Sequence, residues 1–155
     1  MRVADTLILG LGNPLRGDDG VGTAVIAALQ NNHLLPPGVD LLDGGTAGLE
    51  LVLLLQKYRR VFVVDAAEMG LAAGARRQID VRTAVLPTPS ANPPISLHRA
   101  GFSEALALAE ALDVLPAEII LFGIQPAQLN WSEGLSVAVQ TAVAPVCQAL
   151  LSALD

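Results

Sequence analysis

Two adjacent carboxylates, Asp18 and Asp19, stand in the segment Gly10-Leu-Gly-Asn-Pro-Leu-Arg-Gly-Asp-Asp-Gly-Val-Gly22. Further acids follow at Asp43 and Asp65, and one of the chain's two histidines, His98, lies downstream. Carboxylates and imidazoles are the side chains that offer mixed O and N donors to a divalent metal and that move protons during hydrolysis. The first segment also imitates a dinucleotide fingerprint, in which a third glycine lets the helix approach the strand and opens a helix N-terminus to pyrophosphate. Here Leu15 holds that position, and Asp18 and Asp19 sit where the phosphate would go, so repulsion between like charges opposes nucleotide binding. Asp18 reads as the N-cap of the following helix, which leaves Asp19 without a structural task.

Asp43 precedes the flexible stretch Gly44-Gly45-Thr46-Ala47-Gly48, and Asp65 closes Arg60-Val-Phe-Val-Val-Asp65. Either acid alone reads equally well as a turn former, but three acids after three strand-like runs are expected to converge on one rim of an open sheet. His33, in a polar helix exit, reads as a solvated or capping residue. His98, in Ile95-Ser-Leu-His-Arg-Ala-Gly101, has two readings, a structural cap or a third ligand beside two carboxylates. A side-chain nucleophile is poorly supported. Cys147 falls inside an apolar helical stretch without a cationic activator, Ser96 is too close in sequence to His98 to face it, and no Gly-x-Ser-x-Gly elbow occurs.

The elements that must position these residues alternate short β-branched runs with longer helical stretches, the pattern of an α/β domain with a mostly parallel sheet. Strands are expected at Thr6–Gly10, Val39–Asp43, Arg60–Asp65 and Glu118–Ile124, with Gln78–Thr83 as an alternating, antiparallel edge strand. Helices are expected from about Gly20 to Gln30, over Thr46–Lys57, from His98 to about Leu112, and over Gly134–Leu154, with a proline-rich loop at Leu86–Ile95. The expected fold is a single-domain, three-layer αβα sandwich over residues 1–155. The last helix lacks charge and has about the length of a membrane span. However, Gln140, Ala144, Gln148 and Ser152 form a small and polar stripe at i+4 spacing, so it reads as a helix packed on a sheet.

Composition agrees with one folded domain: 155 residues, 52% hydrophobic and 15% charged, enough apolar mass for a core. Nine Lys and Arg against fifteen Asp and Glu give a net charge of −6, which disfavours nucleic acid as a partner. One cysteine excludes an internal disulfide framework and a multi-cysteine zinc site and suits a reducing compartment. The short apolar run at the N-terminus carries Asp5 and no cleavage signal, so a cytoplasmic protein is expected.

Four blocks in order, Leu9 to Gly22, Asp43 to Gly48, Val64-Asp-Ala66, and Ser96 to Gly101 with Glu104, resemble the [NiFe]-hydrogenase maturation endopeptidases. The resemblance spans nearly the whole chain and is weakest over Ala66–Pro94. It implies a protease that removes the C-terminal extension of a hydrogenase large-subunit precursor after nickel insertion. It further implies that Asp19, Asp65 and His98 contact a metal, that Asp43 acts as a general base or a positioning group, and that Gly44, Gly45 and Thr46 shape the substrate cleft. Nickel would then arrive with the precursor, with Zn or Cd able to occupy the site in vitro. Two other readings stand beside it. A peptidyl-tRNA-hydrolase-like esterase shares only Gly-Leu-Gly-Asn-Pro and is opposed by the acidic charge, and a non-catalytic metal- or nucleotide-binding module is opposed by the failed glycine pattern.

Overall fold

The computed structural model of the protein describes residues 4–45, 48–83, 96–97 and 100–155. Thr46, His98 and the proline-rich loop Leu86–Ile95 therefore lie outside the described residues. In chain order the elements are β1 (Thr6–Leu11), a 3-10 turn (Gly17–Gly20), α1 (Val21–Gln30), β2 (Val39–Gly45), α2 (Leu51–Leu55), β3 (Arg60–Glu68), β4 (Arg76–Asp80), β5 (Ser96–Leu97), α3 (Ala100–Ala111), β6 (Glu118–Ile124) and α4 (Val137–Ala153).

The main sheet runs β2-β1-β3-β6-β4. The first four strands are parallel, and β4 lies antiparallel on the edge against β6. The central strands are continuous apolar runs because both of their faces are covered. On one face Ile8, Phe62, Val64 and Phe122 pack under α1 and α4. On the other Leu7, Leu9, Val61, Val63 and Leu121 pack under α2 and α3. This is the α/β sandwich expected from the sequence, with the antiparallel edge strand in its expected place.

Several boundaries differ from the expectation by a few residues, and those of the edge strand, the second helix and the last helix have local reasons. The edge strand starts two residues earlier, at Arg76, since charged side chains are tolerated where one side of a strand meets solvent. It also stops sooner, where Asp80 Oδ1 accepts a hydrogen bond from the Arg82 N–H at 3.0 Å and turns the chain. The second helix shrinks to Leu51–Leu55 behind a turn that begins near Gly48. The last helix begins at Val137, because Ser136 is in an extended conformation and its hydroxyl accepts from the Val139 N–H as an N-cap. Gly134, with φ of 92°, belongs to the preceding loop. Within α4 the buried residues include Val139, Val143, Val146 and Leu150, while Gln140, Ala144, Gln148 and Ser152 are all exposed, as the i+4 stripe predicts. Among the described residues no helix is long and apolar enough to cross a membrane.

The close approach of α1 to the sheet is made by Gly22, not by the position Leu15 that a dinucleotide fingerprint would use. A Cβ on Gly22 would stand 2.3 Å from the Leu11 carbonyl oxygen and 2.7 Å from that of Val64. The partner position is Gly10, where a Cβ would lie 2.6 Å from the Gly22 carbonyl oxygen. Two glycines thus bring the helix onto β1 and β3, and the turn before it onto the carboxyl end of the sheet.

Candidate active site

In an open α/β sheet the ligand crevice lies beyond the carboxyl ends of the strands, on either side of the point where the order reverses. Here the reversal falls between β1 and β3, with β2 on the far side of β1. Asp19 lies in the 3-10 turn after β1 and is only 4% exposed; its Oδ2 accepts from the Asn13 N–H at 3.0 Å. Asp65 lies near the end of β3 and is fully buried. Because Gly22 presses on the Val64 carbonyl, the turn carrying Asp19 and the strand carrying Asp65 meet at this rim.

Asp43 stands on the same rim but faces differently. Gly10 pairs in register with both Asp43 and Val64. Residues in register on parallel strands share a face, so Asp43 lies with Val64 on the α1 side and Asp65, one residue on, points to the α2 and α3 side. Asp43 is also exposed, with its Oδ1 accepting from the Gly45 N–H at 3.1 Å. Gly44 rests against Leu9 and Leu11, and Gly45 takes φ of 57° and offers its carbonyl to the Gly12 N–H at 2.8 Å. This glycine pair therefore fixes the β2 exit against the first loop.

The last expected member of the set, His98, is approached only through its neighbours. Leu97 of β5 pairs antiparallel with Ala67, two residues beyond Asp65, so the chain leading to position 98 runs along the end of β3. Among the described residues no three Asp, Glu, His or Cys side chains group as a metal site. The two buried carboxylates are hard oxygen donors that fit two positions of a mixed O/O/N set.

Asp18 does not cap α1, whose N-cap is Gly20 without a side-chain bond. Its carboxylate, fully buried, turns instead to the loop before α4. Oδ2 accepts from the N–H groups of Ala127 (2.8 Å) and Gln128 (3.1 Å) and from the Ser136 hydroxyl (2.9 Å). Oδ1 accepts from the Ser136 N–H at 2.7 Å. The sequence reading missed this because every partner lies more than a hundred residues away. It also missed Gln125, which follows the apolar run of β6 and is 4% exposed. The Gln125 Oε1 accepts from the N–H groups of Met69 and Leu71 at 2.7 and 3.2 Å, and its Nε2 donates to Glu68 at 2.8 Å, tying the ends of β3 and β6 together. A polar residue directly after the apolar run Ile119–Ile124 was its available signal.

Cys147 is buried, its Sγ 3.9 Å from the Val25 carbonyl oxygen, and burial pushes its thiol above the usual range. It is far from a thiolate nucleophile, as expected from its place in the apolar helix. His33 is exposed, in line with the solvated reading.

Comparison with known proteins agrees with this architecture. Residues 23–153 match the family model described as hydrogenase maturation protease. The hydrogenase expression/formation protein HupD of Bradyrhizobium diazoefficiens is 36% identical over 149 residues, covering 93% of this chain and 77% of that protein. The hydrogenase 2 maturation protease of Escherichia coli is 31% identical, covering 96% of this chain and 89% of that protein. Some relatives are longer, and the chain spans 58%, 62% and 56% of three of them. The solved structure of the hydrogenase maturating endopeptidase HybD from E. coli superposes with a TM-score of 0.81 at 28% identity, covering 99% of this chain and 92% of that one. Taken with the α/β sandwich and its acidic rim, the match over most of the chain shows that this protein belongs to the hydrogenase maturation protease family, a family of hydrolases.

Proposed function

We propose that the protein is an endopeptidase that removes the C-terminal extension of a [NiFe]-hydrogenase large-subunit precursor once nickel is in place, and that Asp19, Asp65 and His98 recognise that nickel. The observation that carries this reading is the pair of buried carboxylates, Asp19 and Asp65, at the ligand rim of a chain that belongs to this family. Buried acids are costly to keep for stability alone and gather where a cation or a proton is handled. The pairing of Leu97 with Ala67 supports His98 as the third member, because it leads the chain to the strand that carries Asp65.

In this reading nickel is part of the substrate, held by the precursor, and cleavage is licensed only when that metal presents itself to the three residues. A metal at such a site supplies Lewis-acid polarisation, worth several kcal/mol of transition-state stabilisation in general. Water is the nucleophile, since the one cysteine, Cys147, is buried with its thiol pKa raised. Asp43, exposed beside Gly44 and Gly45, acts from the solvent side as general base or positioning group, with these glycines and Thr46 shaping the cleft. The reaction is assigned to the cytoplasm, in keeping with a single buried cysteine.

The test is incubation with nickel-loaded and nickel-free large-subunit precursors, read by mass. Loss of the extension from the loaded form alone is expected. Equal cleavage of both forms contradicts nickel gating, and unchanged cleavage of the loaded form by His98→Ala removes that residue from the metal-recognising set.

A further inference from the structure

The loop between β6 and α4 is tied to the first loop by a dense set of hydrogen bonds. Besides the four hydrogen bonds to the Asp18 carboxylate, the Gly17 N–H donates to the Ser132 carbonyl at 2.8 Å and the Asp18 N–H to that of Gln128 at 3.0 Å. Arg16 forms an isolated parallel bridge with Ser132. Its Nη2 donates to the Leu129 carbonyl at 3.3 Å, and its guanidinium carbon stands 5.2 Å from the centroid of the Trp131 ring. Gly17, at φ of 57°, leaves room for this contact, since a Cβ there would lie 3.0 Å from the Gln128 carbonyl oxygen.

What this knot presents is unusual for a free surface. Trp131, the one tryptophan of the chain, is 75% exposed, and Leu15 beside Arg16 is 52% exposed. Leu15 precedes the turn carrying Asp19 in the chain, and the loop of Trp131 is tied to that turn through Gly17 and Asp18. Tryptophan and arginine are the residues most enriched where protein partners bind tightly. A ring stacked under a guanidinium offers an apolar face with N–H donors alongside it. An extended peptide supplies the complement, apolar side chains for the ring and carbonyl oxygens for the donors.

We infer that the Arg16–Trp131 pair is the surface on which the enzyme receives the precursor polypeptide, and that Asp18 is the positioning residue that holds this surface in register with Asp19. The inference rests on the proposed reaction. Asp18 must be an acid for the purpose. All four of its partners donate, so the amide NH₂ of an asparagine would face an N–H whichever way it turned.

The experiment is steady-state cleavage of nickel-loaded precursor by the wild type, Trp131→Ala, Trp131→Phe and Asp18→Asn, at a temperature where each variant is folded. Trp131→Ala is expected to raise KM about tenfold or more with kcat unchanged, with partial recovery in Trp131→Phe. Asp18→Asn is expected to raise KM and lower kcat together, because both loops lose their register. In protein carrying fluorotryptophan, the single fluorine resonance is expected to shift on adding nickel-loaded precursor and to stay put with nickel alone. If Asp18→Asn does not fold, Ser136→Ala, which takes one of the donors from Asp18 together with the hydroxyl cap of α4, should raise KM more modestly. Wild-type KM in Trp131→Ala, with the wild-type enzyme active, overturns the surface alone. Wild-type kcat and KM in folded Asp18→Asn overturn its positioning role. A wild-type enzyme that leaves the loaded precursor uncut overturns the reaction and this surface with it.

Discussion

Gly22→Ala sets helix propensity against packing, with opposite signs. In an isolated helix alanine is favoured over glycine by about 1 kcal/mol. In this fold the new Cβ would meet the Leu11 carbonyl oxygen at 2.3 Å, the Val64 carbonyl oxygen at 2.7 Å and the Leu11 nitrogen at 2.8 Å. All three are backbone atoms of buried central strands, so no rotamer change relieves them. To regain ordinary contact α1 must lift from β1 by roughly 1 Å, a gap that forfeits a quarter to a half of each dispersion well along the interface. The buried side chains of Val21, Val25, Ile26 and Leu29 all sit on that interface. Overpacking of this kind costs about 1–3 kcal/mol and occasionally more, and rigid obstacles put this site at the upper end. Net of the propensity gain, a loss of about 2 kcal/mol is expected, which corresponds to a fall in Tm of about 4–8 °C for a chain of this size. Urea denaturation should show a lower midpoint at unchanged slope. Asp19 rides on the turn just before this helix, so cleavage should fall even where the variant is fully folded. A midpoint equal to or above wild type would mean that helix propensity wins, and the close approach of α1 to the sheet would not be the constraint described.

Other outcomes follow from single contacts. Titration with Ni²⁺, Zn²⁺ or Cd²⁺ should raise the wild-type Tm and leave Asp19→Ala unmoved; at a hundredfold excess over Kd the gain is about 2.7 kcal/mol. Tyr58, the one tyrosine, donates to Asp40 at 2.7 Å, and burial together with that carboxylate pushes its pKa up to about 12. Its phenolate absorbance should appear near that pH, and Asp40→Asn should bring it back towards 10.0. A raised acid of this kind favours the folded state below the unfolded pKa, so its contribution should be lost as pH climbs from about 10 to about 12. With the Cys147 thiol buried and its pKa raised, a thiol reagent at neutral pH should label the native protein only at the rate of unfolding and the denatured protein at once.

The features that could be read from the sequence are those whose cause is local. Val61 to Val64 is apolar without interruption because β3 is covered on both faces, and the exposed stripe from Gln140 to Ser152 fixes the outward face of α4. The acids at the strand ends could be placed on one rim from topology. Their facing could not, because it depends on which residues of β1 pair with β2 and β3, and that register alone separates Asp43 from Asp65. Asp18 was misread for a related reason. An aspartate before a helix has a common local use, and its actual partners at Ala127, Gln128 and Ser136 leave no mark near it in the chain. Trp131 carries no periodic signal at all, and its meaning depends on what stands beside it.

The same separation has a consequence in time. The Asp18 carboxylate leaves the ribosome early, and the amide groups that receive it are made 109 to 118 residues later. At the usual pace of about 5–20 residues per second, the acid waits on the order of ten seconds for them. During that wait the turn bearing Asp19 has no fixed neighbour on its far side, and Trp131 does not yet exist. A nascent chain therefore cannot engage a precursor from its first strand alone. The rim around Asp19 is complete only when the segment leading into α4 has arrived, so the first loop takes its final form after every strand of the main sheet's path has already been made.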